Sequence, residues 1–81
     1  MKKPYKVIDV HGFTPDRVKR QLEFEINRAP QNAEKIVVIH GCNHGTVLRD
    51  VVRGGLTSSR IREVMPCFAN DGESTIFLIK K

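Results

Sequence analysis

The chain has 81 residues and carries 14 Lys and Arg against 9 Asp and Glu, a net charge of +5, so one domain (residues 1–81, core about 5–79) with a basic balance suited to a polyanionic partner is expected. Cys42 and Cys67 are too few for a disulfide framework. No apolar segment approaches the roughly 20 residues of a membrane span or precedes a cleavage-like site, and a cytoplasmic compartment with reduced thiols follows as the expectation.

Tyr5 to His11 is rich in strand formers and stops at Gly12, which predicts the first strand. Alternation puts Ile8 and Val10 on one face and Val7, Asp9 and His11 on the other, with Asp9 and His11 at the carboxyl end. Thr14-Pro15-Asp16 is a helix start, combining a capping hydroxyl, proline at the first helical position and a carboxylate at the positive end of the dipole. This helix should run to about Arg28. At about 100° per residue, Val18, Leu22, Ile26 and Ala29 fall within an arc of about 80°, the face that packs on a sheet. Phe24 points the opposite way, with Arg17, Arg20, Gln21 and Arg28 within about 60° of it. The expectation is a solvent-facing aromatic ringed by cations, either a plain amphipathic surface with one exposed aromatic or a surface for stacking or for a partner; weak self-association of the chain is a further expectation. Pro30-Gln31-Asn32 ends the helix.

Ile36 to Ile39 is a β-branched run too short for a buried helix and reads as a central strand. His40-Gly41-Cys42-Asn43-His44-Gly45 follows, and Thr46 caps a second helix reaching Arg53 before Gly54-Gly55. Ile61 to Phe68 reads as a third strand, placed at an edge by Pro66. Asn70 to Glu73 is a hairpin turn, and Thr75 to Ile79, apolar on both faces, is an interior last strand. The order β-α-β-α-β-β implies parallel first and second strands joined by a right-handed crossover and an antiparallel hairpin. Parallel pairing brings Asp9 and His11 to the same edge as His40 and the glycine loop. Ligands of open sheets bind at that edge, and the N–H groups opening a helix favour anions. On residues alone, Asp9 and His11 could equally tie the strand end to loop backbone, and His40 could as well brace the loop as contact a ligand. Zinc is not expected from His40, Cys42, His44 and Cys67, because no tight pairing at finger spacing occurs.

Asp9-Val10-His11-Gly12, then His40-Gly41 with Gly45, Leu48 and Arg49, resembles the small MutS-related (Smr) domain. That family shows D-x-H-G at the end of its first strand and a second H-G followed by a glycine loop and a helix with L-R in its first turn. The resemblance covers about residues 7–79. It implies an α+β fold, a two-layer α/β sandwich with two helices on a mixed four-stranded sheet, similar to the C-terminal domain of translation initiation factor 3. One feature departs from the family pattern: the loop is a residue longer than the G-x-G-like form, and Asn43 stands where a glycine is usual, a residue that tolerates left-handed backbone. The chain lacks the ATPase and mismatch-recognition parts of large relatives, which suggests a free-standing member.

What the resemblance implies is binding of DNA or RNA, with nicking endonuclease activity described for several members. Asp9, His11 and His40 are the implied catalytic set, His11 as general acid or base oriented by Asp9. Neither histidine is expected to fill the core. Gly12, Gly41, Asn43, Gly45, Thr46, Arg49 and Arg53 are the expected phosphate-binding set, and Arg17, Arg20, Phe24 and Arg28 the surface patch. RNA supplies its own 2′-hydroxyl nucleophile, whereas cutting DNA would call for an activated water and Mg²⁺. The rival readings are a binding module without catalysis and a binder or enzyme for a phosphorylated small molecule.

Overall fold

The computed structural model describes residues 4–41, 47–67 and 72–79. The chain runs β1 (Lys6–Asp9), α1 (Pro15–Arg28), β2 (Lys35–Ile39), α2 (Val47–Gly54), β3 (Ile61–Pro66) and β4 (Glu73–Leu78). The strands form one mixed sheet in the order β1-β2-β4-β3. β1 and β2 are parallel, with Asp9 opposite Ile39, and β4 is antiparallel to both β2 and β3. Pro66 lies on an edge strand, where its missing donor removes no ladder bond.

Period-two burial decides which face is covered. Ile36, Val38, Ile76 and Leu78 are buried on one face, in a single cluster with Val18, Leu22 and Ile26 of α1 and Val52 of α2. Each such side chain contributes about 1.5–3 kcal/mol by leaving water. The opposite face carries Val7, Val37, Thr75 and Met65 in register across the four strands. Val7 and Met65 are exposed there, and both helices lie on the other side.

α1 begins as its local chemistry dictates. The Thr14 side chain accepts the Arg17 N–H at 3.3 Å, Pro15 follows the cap and Asp16 stands in the first turn. Its end is held from a distance. Arg60 donates to the carbonyls of Ile26 at 3.0 Å and Pro30 at 3.1 Å, and also to that of Ala29. Acceptors that a helix terminus would leave to water are thereby satisfied by a guanidinium.

β1 is shorter than its composition suggests. It ends at Asp9 because the chain turns at His11-Gly12, although Val10 N–H still bonds the Ile39 carbonyl at 2.9 Å. The last strand, conversely, begins two residues earlier than its apolar run, at Glu73, and β3 ends at Pro66. Lys6 on the edge strand β1 reaches Glu25 of α1 at 2.7 Å, and the Glu25 side chain is only 6% exposed. That pairing lets a carboxylate occupy the flank of the core stripe.

Candidate functional site

Both His-Gly dipeptides stand at the carboxyl end of the parallel pair. Asp9 Oδ1 accepts the backbone N–H of His11 at 3.1 Å, and the Phe13 N–H returns to the Val10 carbonyl at 3.1 Å. The third residue of that four-residue turn, Gly12, has φ +81°. A type II turn requires positive φ there, so glycine is a geometric need, and His11 is placed at the corner. Its side chain is 71% exposed.

The same Asp9 Oδ1 lies 2.5 Å from Nδ1 of the His11 ring. An ionised carboxylate only accepts, so in the neutral ring Nδ1 carries the proton and Nε2 offers its lone pair to solvent. The ring bond, and after it the backbone N–H of His11, hold the Asp9 carboxyl below the ordinary carboxylate range. Continuing the parallel register past Asp9 and Ile39 sets His11 opposite Gly41. A Cβ placed on Gly41, whose φ is +76°, would stand 3.6 Å from the His11 Cβ. The backbones of the two motifs therefore meet.

Their rings do not share an environment. His40 is 3% exposed, contrary to the expectation that neither histidine fills the core. Its Nδ1 lies 2.9 Å from the Gly41 carbonyl and its Nε2 2.9 Å from the Ser74 hydroxyl, which also receives Arg53 Nε at 3.2 Å. The directions close on one another. A carbonyl accepts, so Nδ1 donates; Nε2 then accepts the Ser74 proton, and the serine oxygen accepts from Arg53. The backbone N–H groups of His40 and Gly41 both bond the Gly72 carbonyl, at 2.8 and 3.0 Å. His40 thus ties the end of β2 to β4 and to α2.

Arg49 lies in the first turn of α2, half-buried, and Arg53 in its last turn, turned toward Ser74. Asn43, Gly45 and Thr46, like Cys42 and His44, fall outside the described residues. On α1, Phe24 is 56% exposed with the Arg28 guanidinium 5.2 Å from its ring centroid, and Arg17 stands 4.3 Å over Phe13. Arg17, Arg20, Gln21 and Phe24 line one shallow groove of about 310 Å³. Among the described residues no group of three or more His, Cys, Asp or Glu is placed to hold a metal ion. No helix among them is long and apolar enough to cross a membrane.

Ser74 and Gly72 are the functional neighbours that sequence reading missed. Ser74 did carry a signal: it shares period-two phase with Ile76 and Leu78, and a strand drawn two residues longer puts its hydroxyl in the core. The Gly72 carbonyl carries none, since any residue supplies one.

The family model for the Smr domain matches residues 8–80. Among solved structures, the fold is similar to that of the Smr domain of Thermus thermophilus MutS2, with a TM-score of 0.80 at 18% identity over 91% of this chain and 98% of that one. No curated protein matches the chain.

Proposed function

The chain belongs to the Smr domain family, which is associated with nucleic-acid binding and nicking, and on that premise we propose that it binds nucleic acid and cuts a phosphodiester bond at the Asp9–His11 corner. The observation that carries this reading is the His11 ring: held by Asp9 through Nδ1 at 2.5 Å, it presents Nε2 outward from an exposed turn. In the proposed reaction the hydroxyl that attacks phosphorus gives its proton to Nε2, and the departing oxygen takes a proton back from the imidazolium. General acid–base action of this kind contributes about 10²–10⁴ in rate. Asp9 keeps the ring in the required tautomer and offsets the charge it gains. Arg49, in the first turn of α2, supplies positive charge to the phosphate as negative charge develops on its oxygens.

His40 has a different part in this proposal. With both ring nitrogens engaged inside the protein, it is a positioning residue that fixes Gly41 beside His11. The test is conversion of supercoiled plasmid to open circle, run beside cleavage of a structured RNA, each with and without Mg²⁺. Wild-type protein should cut at least one substrate and His11→Ala should not. Binding without cleavage by the wild type would leave the non-catalytic module as the correct reading.

A further inference from the structure

We infer that the outer crest of α1 is a track for single-stranded nucleic acid that leads the strand to His11. The track presupposes the nucleic-acid reading above and adds strandedness and a path to it. Its elements are Arg17, Arg20 and Arg28 around the exposed Phe24, with the Arg28 guanidinium 5.2 Å from that ring; at the start of the helix Arg17 covers Phe13, which is half-buried against the core, at 4.3 Å from its centroid. At about 100° per residue Arg17, Arg20 and Arg28 all fall within about 40° of Phe24, whereas Asp16 and Glu23 fall about 80–100° away. Glu23 is turned aside further, since it accepts the Thr57 hydroxyl at 2.9 Å. The crest therefore carries three cations around one exposed ring, with Asp16 and Glu23 along one flank, where they share a groove with Lys19 and Arg20.

Charge alone would suit any polyanion, but the exposed ring selects among them. Phe24 is 56% exposed on a helix whose opposite side makes the core, so its ring is not part of the core. A ring in solvent flanked by guanidinium groups is a platform for a base, and only an unpaired base presents its face. In a duplex the bases are stacked inward and Phe24 would meet backbone. Continuity supplies the direction. Phe13 closes the turn that holds His11, through its N–H to the Val10 carbonyl at 3.1 Å, and α1 follows at once, so the crest begins beside that corner. Phe24 lies about 15 Å from the Thr14 cap at 1.5 Å per residue, a span of about four to five nucleotides at a stacked rise of 3.4 Å.

The experiment is fluorescence anisotropy at 50 mM salt with three labelled probes: a 12-nucleotide oligouridine, a 3-nucleotide oligouridine and a 12-base-pair RNA duplex. The proteins are wild type, Phe24→Ala, Phe24→Leu and Phe24→Tyr, with His11→Ala as reference in a parallel cleavage assay. Phe24→Ala and Phe24→Leu should each weaken binding of the 12-mer by about five- to a hundredfold. Phe24→Tyr should bind it as wild type does, binding of the duplex should change less than twofold, and the 3-mer, too short to span the crest, should bind wild type more weakly than the 12-mer. Full affinity in Phe24→Leu would overturn the track, because an apolar contact of the kind used to dock a protein needs no ring. Equal losses on 12-mer and duplex, or none on either, would overturn it as well. If the wild type binds and His11→Ala abolishes cutting while every Phe24 variant behaves as wild type, only the track fails. If the wild type neither binds nor cuts any probe, the nucleic-acid reading fails with it.

Discussion

The ring of His40 ends 2.9 Å from the hydroxyl of Ser74, a residue 34 positions further along the chain. That bond joins β2 to β4 at the point where the sheet stops and the candidate site begins. It also separates two histidines that look alike in sequence, since His11 stands in solvent and His40 inside the protein.

Stability should register the difference first. Ser74→Ala leaves His40 Nε2 and Arg53 Nε without their shared partner inside the protein, and should cost about 1–3 kcal/mol in urea unfolding. His40→Ala should cost about 2 kcal/mol or more, from lost bonds together with a cavity. His11→Ala should stay within about 0.5 kcal/mol of wild type. Equal costs for the two histidine variants would contradict the burial described here.

Activity should rank the other way round. His11→Ala should lower nicking by at least about a hundredfold with binding retained, because it removes the proton acceptor and no phosphate contact. Initial rates of plasmid or RNA cleavage decide this, and undiminished activity in the variant would make the Asp9–His11 pair a structural brace.

The acid limb of stability should report Asp9. Its carboxyl titrates below its ordinary value of 3.8 because His11 donates to it twice. A group with a depressed folded pKa adds stability that is complete above the unfolded value and lost as pH falls through the folded one. Denaturation midpoints of wild type should thus decline faster than those of Asp9→Asn below about pH 4. Parallel curves for the two proteins would show that the pair contributes no such term.

Binding should be steeply salt-dependent. If Arg17, Arg20, Arg28 and Arg49 each contact a phosphate of a single strand, affinity should fall by about 50-fold between 50 and 200 mM salt, at a slope near −0.7 per contact. A titration flat over that range would exclude a phosphate-dominated interface.

The two glycines allow a matched comparison. Gly12 and Gly41 have φ of +81° and +76°, and the added methyl meets open space at the first and ordinary contact at 3.6 Å from the His11 Cβ at the second. Each alanine substitution should therefore cost about 1–2 kcal/mol from backbone strain alone, and the two costs should agree. A much larger loss at Gly41 would mean that the two motifs pack more tightly than their separation indicates.

Local chemistry explains what could be read from the sequence. Thr14-Pro15-Asp16 begins a helix whatever surrounds it, the β-branched run before His40 makes a strand, and Pro66 belongs at an edge; all three stand as the residues dictate. Gly12 is legible as the stop of the first strand, but the sequence reading places His11 inside that strand, and the turn that sets it at an exposed corner is not read. The rest depends on partners distant in sequence. Nothing near residue 26 announces that Arg60 will hold the end of α1, and nothing near His40 names Ser74 as its acceptor of choice. Glu25 reads as a surface carboxylate until Lys6 arrives from β1. Period and capping rules see neighbours within a turn or two, whereas these contacts exist only once the sheet has been assembled.

Strand β4 comes after the other three strands in the chain yet lies between two of them in the sheet. A nascent chain emerging from the ribosome consequently delivers β2 and β3 before anything can join them, since they share no ladder of their own. The Gly72 carbonyl and the Ser74 hydroxyl arrive with the strand that fills the gap, and they are the groups that fasten His40 and Gly41. Insertion of one late strand thus completes the sheet and the corner beside His11 in a single event. During synthesis, the corner beside His11 therefore stays unfastened until β4 has been made.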